Sequence, residues 1–399
     1  MAVSSGQGVT FARGFVAGAV AAGVKHEGTT RLDIALIAST AEHCHAAGVF
    51  TTNEVIAAPC VVTKKHVARG HLRGIIVNSG NANACTGPQG ERDSVAMANA
   101  AGELLHVDPH DVAVASTGVI GVPMPMDRIG PAIARIALSE AGWDDASRAI
   151  MTTDTKPKVA QRELTLAGGA VRIGGMAKGA GMIHPNMATM LAFVTTDAQI
   201  DGAALRPMLR SAAADSFNAI SVDGDTSTND TLLVLANGAS GVRVGTLDGP
   251  AFLDALTAVC LDLARAIVAD GEGVTKVFEV RVTGAASESD ARLAARTVTT
   301  SNLVKTAIHG ADPNWGRILA AAGRSGARVD AGKASIRIGG VAVFERGSPR
   351  PFDAAVVRAV FERPDIAIEL DLGLGDATTR AWGTDLSAEY VRINADYTT

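Results

Sequence analysis

Aromatic residues are scarce in this chain: Phe, Trp and Tyr make up 4% of 399 residues. Large rings cannot dominate its interior, so packing must rest on Ala, Val, Leu and Ile, with many tight turns supplied by 43 glycines. Cysteine is rarer still. Cys44, Cys60, Cys85 and Cys260 are scattered unevenly, which excludes a dense disulfide scaffold and points to a reducing compartment with buried thiols. No block of Lys or Arg occurs and the formal net charge is -5. The clustered cations that neutralise phosphates are therefore missing, and neither a nucleic acid nor an anionic membrane is an expected partner. Long hydrophobic runs are lacking too. Residues 14–24, between Arg13 and Lys25, superficially resemble a signal segment. They are rich in Ala and Gly and fall well short of the roughly 20 residues that cross a bilayer, so they read as part of the mature fold. No GxxxxGK[ST] phosphate loop is present.

What the chain has is 47% apolar and 19% charged residues, the balance of a globular protein long enough for two or three core-bearing domains, with small metabolites as expected partners. Helix and strand patterns alternate along it. Residues 74–78 (GIIVN) and 112–116 (VAVAS) read as buried strands, while 91–107 has helical spacing through Val95, Ala98, Ala101, Leu104 and Leu105. Leu164 and Leu166, Gly168-Gly169, then Val171 and Ile173 predict a hairpin over 162–174, followed by a glycine-rich loop and a strand from Met190. A helix over 202–218, a strand at 231–236 and a helix over 251–269, closed by Asp270-Gly271, come next. Strict alternation in FEVRV from Phe278 marks the entry to a carboxy-terminal lobe. There, strand pairs at 335–345, turning at Gly339-Gly340, and at 366–383 complete a sheet. The absence of a low-complexity linker predicts lobes packed tightly together.

The run KGAGMIHPNMATML, residues 178–191, carries the chemistry. Pro185 and Asn186 restrict the backbone just before Thr189. On local evidence Thr189 reads as a turn or cap residue before a strand. If the Ala188–Thr189 bond broke, however, Thr189 would become an amino terminus. Its amine, titrating at roughly 7.7 as in model peptides, could take the proton of its own hydroxyl. Lys178 lies among Gly174, Gly175, Gly179 and Gly181, which let backbone approach a ligand. Upstream, STGVIG (116–121) offers a hydroxyl and a backbone N–H at the exit of a buried strand, the parts of an oxyanion hole. Other clusters read more plainly. His43-Cys44-His45 lacks a second pair at zinc spacing, and residues 223–230 lack the terminal glutamate of a calcium loop, so no metal is expected. Ser301, His309 and Asp312 are the residue types of a hydrolase triad, which is recognised by geometry.

Taken in order, these motifs resemble the ornithine acetyltransferases, also called glutamate N-acetyltransferases, of the cyclic arginine pathway. The resemblance covers GFVAGAVAAGVK (14–25), AGVFTTNEVIAAP (47–59), NSGNANACTG (78–87), STGVIG and IMTTDTKPK (150–158). It continues beyond residue 189 through SVDGDTSTNDT (221–231), DGEGVTK (270–276), HGADPNWGR (309–317) and INADYTT (393–399).

The resemblance implies a precursor that cuts itself between Ala188 and Thr189. Residues 1–188 become an α chain and 189–399 a β chain, in which 189–277 complete the catalytic domain and 278–399 form the lobe. It implies a mixed α/β fold of stacked β-sheets flanked by helices, with a smaller α/β carboxy-terminal lobe and an α2β2 heterotetramer in the cytoplasm. Thr189 is then the nucleophile that takes acetyl from N-acetylornithine, releases ornithine and passes the acetyl group to glutamate, giving N-acetylglutamate. Thr117 and Gly118 match the oxyanion pair, one such donor being commonly worth about 3 kcal/mol. Thr152, Lys178, Thr189, Glu272, Asn394 and Thr399 match substrate contacts. Asn394 and Thr399 sit in a tail that would otherwise fray, so their use predicts a tail folded back into the site. No cofactor is implied, although bifunctional members also load acetyl from acetyl-CoA. A self-processing amidohydrolase or aminopeptidase, whose acyl-enzyme goes to water, is the alternative reading.

Overall fold

The computed structural model describes residues 7–184 and 190–396. In chain order the first part supplies β1 (Phe15–Val20), β2 (Ile34–Ser39), β3 (His45–Phe50), α1 (Ala58–Val67), β4 (Gly74–Asn81), α2 (Gly87–Leu105), β5 (Val112–Val119), α3 (Met126–Ile133), α4 (Trp143–Ala149), β6 (Lys158–Leu166) and β7 (Gly169–Lys178). After it come β8 (Leu191–Thr196), α5 (Gly202–Ala214), β9 (Ile220–Ser221), β10 (Thr231–Ala236), α6 (Gly249–Val268) and β11 (Val277–Ala285). The remainder is α7 (Glu288–Thr299), α8 (Asn302–His309), α9 (Trp315–Gly323), β12 (Ser335–Ile338), β13 (Val341–Glu345), β14 (Ser348–Pro349), α10 (Ala354–Phe361), β15 (Asp365–Asp371), β16 (Ala377–Thr384) and α11 (Ala388–Asp396).

Alternating side chains build two stacked sheets, one ordered β1-β2-β4-β5 and the other β3-β10-β8-β7-β6. Ala35, Ile37, Ile75, Val77, Ala113 and Ala115 of the first share a core with Leu191, Phe193, Leu233 and Leu235 of the second. The intervening residues Ile34, Leu36, Ile76, Val112 and Val114 turn to the opposite face, against Met97, Ala98 and Ala101 of α2 and Ile129 and Ile133 of α3. Ala192, Val194, Leu232 and Val234 likewise meet Leu205 and Leu209 of α5 and Phe252, Leu256 and Leu263 of α6. The result is a helix/sheet/sheet/helix sandwich. It explains why β8 and β10 read as unbroken apolar runs: both of their faces are buried.

The carboxy-terminal part forms a third sheet, ordered β14-β13-β12-β15-β11-β16-β9, with its own core of Phe278, Val280, Ile336, Ile368 and residues of α7 to α10. Because β9 pairs in parallel with β16, backbone hydrogen bonds stitch this sheet to the sandwich. The fold is thus mixed α/β, as expected, but three details differ from the sequence reading. Residues 366–383 do not form a pair, since β15 and β16 lie on opposite sides of β11, parallel and antiparallel to it. The glycine-rich segment after the hairpin turn is not a loop throughout: Gly174 and Gly175 belong to β7, paired with β8 up to Lys178. Glycine inside a strand marks close backbone approach rather than a break. Finally, Cys44, Cys60 and Cys260 are buried but Cys85 is exposed. Among the described residues no helix is long and apolar enough to cross a membrane.

Candidate active site

Three strands bring the first groups together. β5 carries Ser116, Thr117 and Gly118, still within the strand rather than at an exit turn. Its register against β4 slips at Gly80 and Asn81, and Gly118 adopts φ 134° there. A Cβ on Gly118 would stand 2.3 Å from the Gly80 carbonyl carbon, so only glycine fits this irregularity. Lys178 ends β7 and is 3% exposed. Its Nζ donates to Thr117 Oγ1 at 3.1 Å, which occupies an oxygen lone pair and leaves the threonine O–H available as a donor.

The other walls are loops and the tail. Thr152 follows α4; its N–H donates to Asp154 Oδ2 at 3.0 Å, and its carbonyl accepts from Arg31 Nη2 at 3.3 Å. Glu272 follows α6, its N–H bonded to the Ala180 carbonyl at 2.9 Å. The tail folds back as α11, and Asn394 Nδ2 donates to Glu272 Oε2 at 2.9 Å. Thr117, Gly118, Thr152, Lys178, Glu272 and Asn394 all line one open cleft of ≈ 670 Å³, the solvent at its mouth included. Ala188, Thr189 and Thr399 lie outside the described residues.

Met190, which follows Thr189 in the chain, is described. Its N–H donates to Asp230 Oδ1 at 3.0 Å and its carbonyl accepts from Thr231 at 3.1 Å. The next residue, Leu191, has Lys178 and Thr231 as register partners on either side.

Burial dominates the electrostatics. Lys178 has its pKa pushed down by desolvation, against the pull of Asp154. Burial alone would raise Asp154, but Lys178, Lys158 and the Gly179 N–H outweigh it and hold the carboxyl at about 2. Asp230, fully buried and with Oδ2 unpartnered among the described residues, is raised well above the usual carboxylate range by desolvation; the Met190 N–H and Lys178 offset this only in part. Lys178 thus sets a cation beside Thr117 and Glu272 a carboxyl group on the same cleft, an arrangement that suits a ligand carrying both charges.

Sequence reading missed Asp154, Lys158, Asn229 and Asp230, although all four lie within the motifs IMTTDTKPK and SVDGDTSTNDT. Charged or amide residues between elements read as solvated, yet Asn229 donates to the carbonyls of Ala82 (2.6 Å) and Ser116 (2.9 Å) and locks the loop to β5. The triad residue types are not gathered as one: His309 Nδ1 bonds Asp385 Oδ2 at 2.7 Å, and Asp385 also accepts from Thr275 and Lys276.

The ArgJ family model matches residues 16–399 of the chain. The arginine biosynthesis bifunctional protein ArgJ of Symbiobacterium thermophilum is 53% identical over 98% of both chains. A crystal structure of the arginine biosynthesis bifunctional protein ArgJ from Bacillus halodurans is 44% identical, with a TM-score of 0.50, covering 51% of this chain and 98% of its own. The ornithine acetyltransferase of Mycobacterium tuberculosis, solved in complex with ornithine, is 43% identical with a TM-score of 0.42, covering 45% of this chain and 95% of its own.

Proposed function

The chain belongs to the ArgJ family, and from that premise we propose that it transfers acetyl from N2-acetyl-L-ornithine to L-glutamate in arginine biosynthesis, through an acetyl ester on Thr189. The observation that carries the proposal is the convergence of Thr117, Gly118, Thr152, Lys178, Glu272 and Asn394 on one cleft. Self-cleavage between Ala188 and Thr189 is part of the reading. It is supported by the length of the B. halodurans chain, which corresponds to 51% of this one when matched over 98% of itself, the proportion expected of one product of a cut precursor.

In the scheme, the Thr189 amine takes the proton of the Thr189 hydroxyl, whose oxygen attacks the acetyl carbonyl. The Thr117 hydroxyl and the Gly118 N–H donate to the oxyanion. Lys178 holds the substrate carboxylate as a point charge, while Glu272, steadied by Asn394, faces the side-chain ammonium. The C–N bond breaks, the amine leaves as ornithine with the proton, and an ester remains. Glutamate then opens the ester with its amine, releasing N-acetylglutamate and restoring Thr189. An ester yields to an amine far more readily than an amide does, which is the benefit of the covalent route.

Residues 1–188 and 189–399 would act as associated α and β chains, assembled as α2β2 in the cytoplasm, with 189–277 completing the catalytic domain and 278–399 as the lobe. Thr399 would add a further contact from the tail. The relatives are named bifunctional; we extend this to acetyl-CoA as a second acetyl donor, used as a co-substrate with no bound cofactor. An acceptor panel tests the proposal: with N-acetylornithine as donor, acetyl should reach glutamate. Release of free acetate with no N-acetylglutamate would favour the amidohydrolase reading instead.

A further inference from the structure

Behind the cleft lies a charged unit that the acetyl-transfer scheme does not use. Lys158 Nζ, at the start of β6, bridges Asp154 Oδ1 at 2.5 Å and Asp270 Oδ2 at 2.6 Å, and all three side chains are buried. Each aspartate reaches further. Asp154 accepts the N–H of Thr152 at 3.0 Å and that of Gly179, the residue after Lys178, at 2.7 Å. Asp270 accepts the N–H of Thr155 at 3.0 Å and also its hydroxyl, and it stands two residues before Glu272. One buried unit therefore ties together the segments bearing Thr152, Lys178 and Glu272.

Its charge count is uneven. Two carboxylates face one ammonium, leaving one negative charge in surplus where water is excluded. Lys178 is the cation beside it. Desolvation disfavours the Lys178 ammonium, Asp154 favours it, Lys158 opposes it, and Glu272 and Asp230 favour it, while Thr117 contributes only a neutral oxygen.

We propose that Asp154, Lys158 and Asp270 are the positioning residues of this site: their surplus negative charge keeps Lys178 an ammonium for the substrate carboxylate, while their hydrogen bonds fix the three contact segments. This rests on the reading of Lys178 as the carboxylate contact.

The test is the pH dependence of KM for N-acetylornithine in self-processed protein, from neutral to alkaline pH. KM rises where Lys178 loses its proton. Asp154→Asn removes the favourable charge and should move that rise to lower pH by about one unit or more, a tenfold change in proton concentration. Lys158→Gln removes the opposing cation and should move it to higher pH. The substrate's own titration is common to every variant and cancels in the comparison. General loosening of the site cannot shift the two variants in opposite directions. If Asp154→Asn does not fold, Lys158→Gln against wild type carries the test alone. Shifts of the same sign, or no shift in either variant, overturn the proposal. Wild-type protein without transfer activity would instead defeat the functional reading on which it rests.

Discussion

Replacing Thr117 by valine removes one oxygen while keeping the shape of the side chain. That oxygen has two duties in the account: it accepts from Lys178 Nζ at 3.1 Å, and its O–H is the donor for the developing oxyanion. Loss of one oxyanion donor is worth about 3 kcal/mol, so kcat should fall by about two orders of magnitude. The donor acts in the transition state, so KM for N-acetylornithine should change little. Lys178 is 3% exposed and would lose the Thr117 oxygen as a hydrogen-bond partner, a penalty of about 1–3 kcal/mol that a domain stable by about 5–15 kcal/mol survives. The assay is the initial rate of acetyl transfer to glutamate at saturating substrates, normalised to the fraction of cut chain on a denaturing gel. Thr117→Ser retains the donor and should recover most of the rate. A valine variant within about threefold of wild-type kcat, under 1 kcal/mol by the rate relation, would refute the oxyanion assignment. A raised KM at constant kcat would make Thr117 a ground-state contact instead.

Two further outcomes follow from the site. Glu272→Gln keeps the shape and the Asn394 contact but removes the charge that the proposed scheme sets against the substrate ammonium. KM for N-acetylornithine should rise at least about tenfold, since a hydrogen bond to a charged group is worth about 1.5–3 kcal/mol, and steady-state kinetics will read it. Asp154, with its pKa held at about 2, below the ordinary carboxylate value, contributes about 2 kcal/mol above the unfolded pKa, a contribution lost as pH falls through the folded value. The stability gap between wild type and Asp154→Asn in denaturant titrations should therefore be widest near neutrality and narrow as pH drops below 4, in about that range.

How much of this was legible in sequence depended on whether the signal was local. The hairpin around Gly168-Gly169 and the strand at 231–236 carry period-two or unbroken apolar patterns and appear as β6, β7 and β10. The helix over 251–269 announces its buried face through Phe252, Leu256, Val259 and Leu263, which pack on the sandwich. Strand neighbours are not local. Nothing in residues 366–383 says that β11, which ends at Ala285, inserts between β15 and β16. The site divides in the same way. Thr117, Gly118, Lys178 and Glu272 stand in recognisable motifs, but Asp154 and Lys158 look like solvated loop charges until Asp270 is brought beside them. Cys85 shows the converse: a thiol expected inside is exposed, and its φ of 58° places it at a turn before α2.

The central claim is that Thr189 is both the new terminus and the carrier of the acetyl group. Intact-mass analysis of purified wild-type protein, before and after mixing with N-acetylornithine in the absence of glutamate, tests it most directly. The account predicts two chains that meet between Ala188 and Thr189, with one acetyl group gained by the fragment that begins at Thr189. A full-length chain with undiminished transfer activity, or an acetyl group found on another residue, would contradict it.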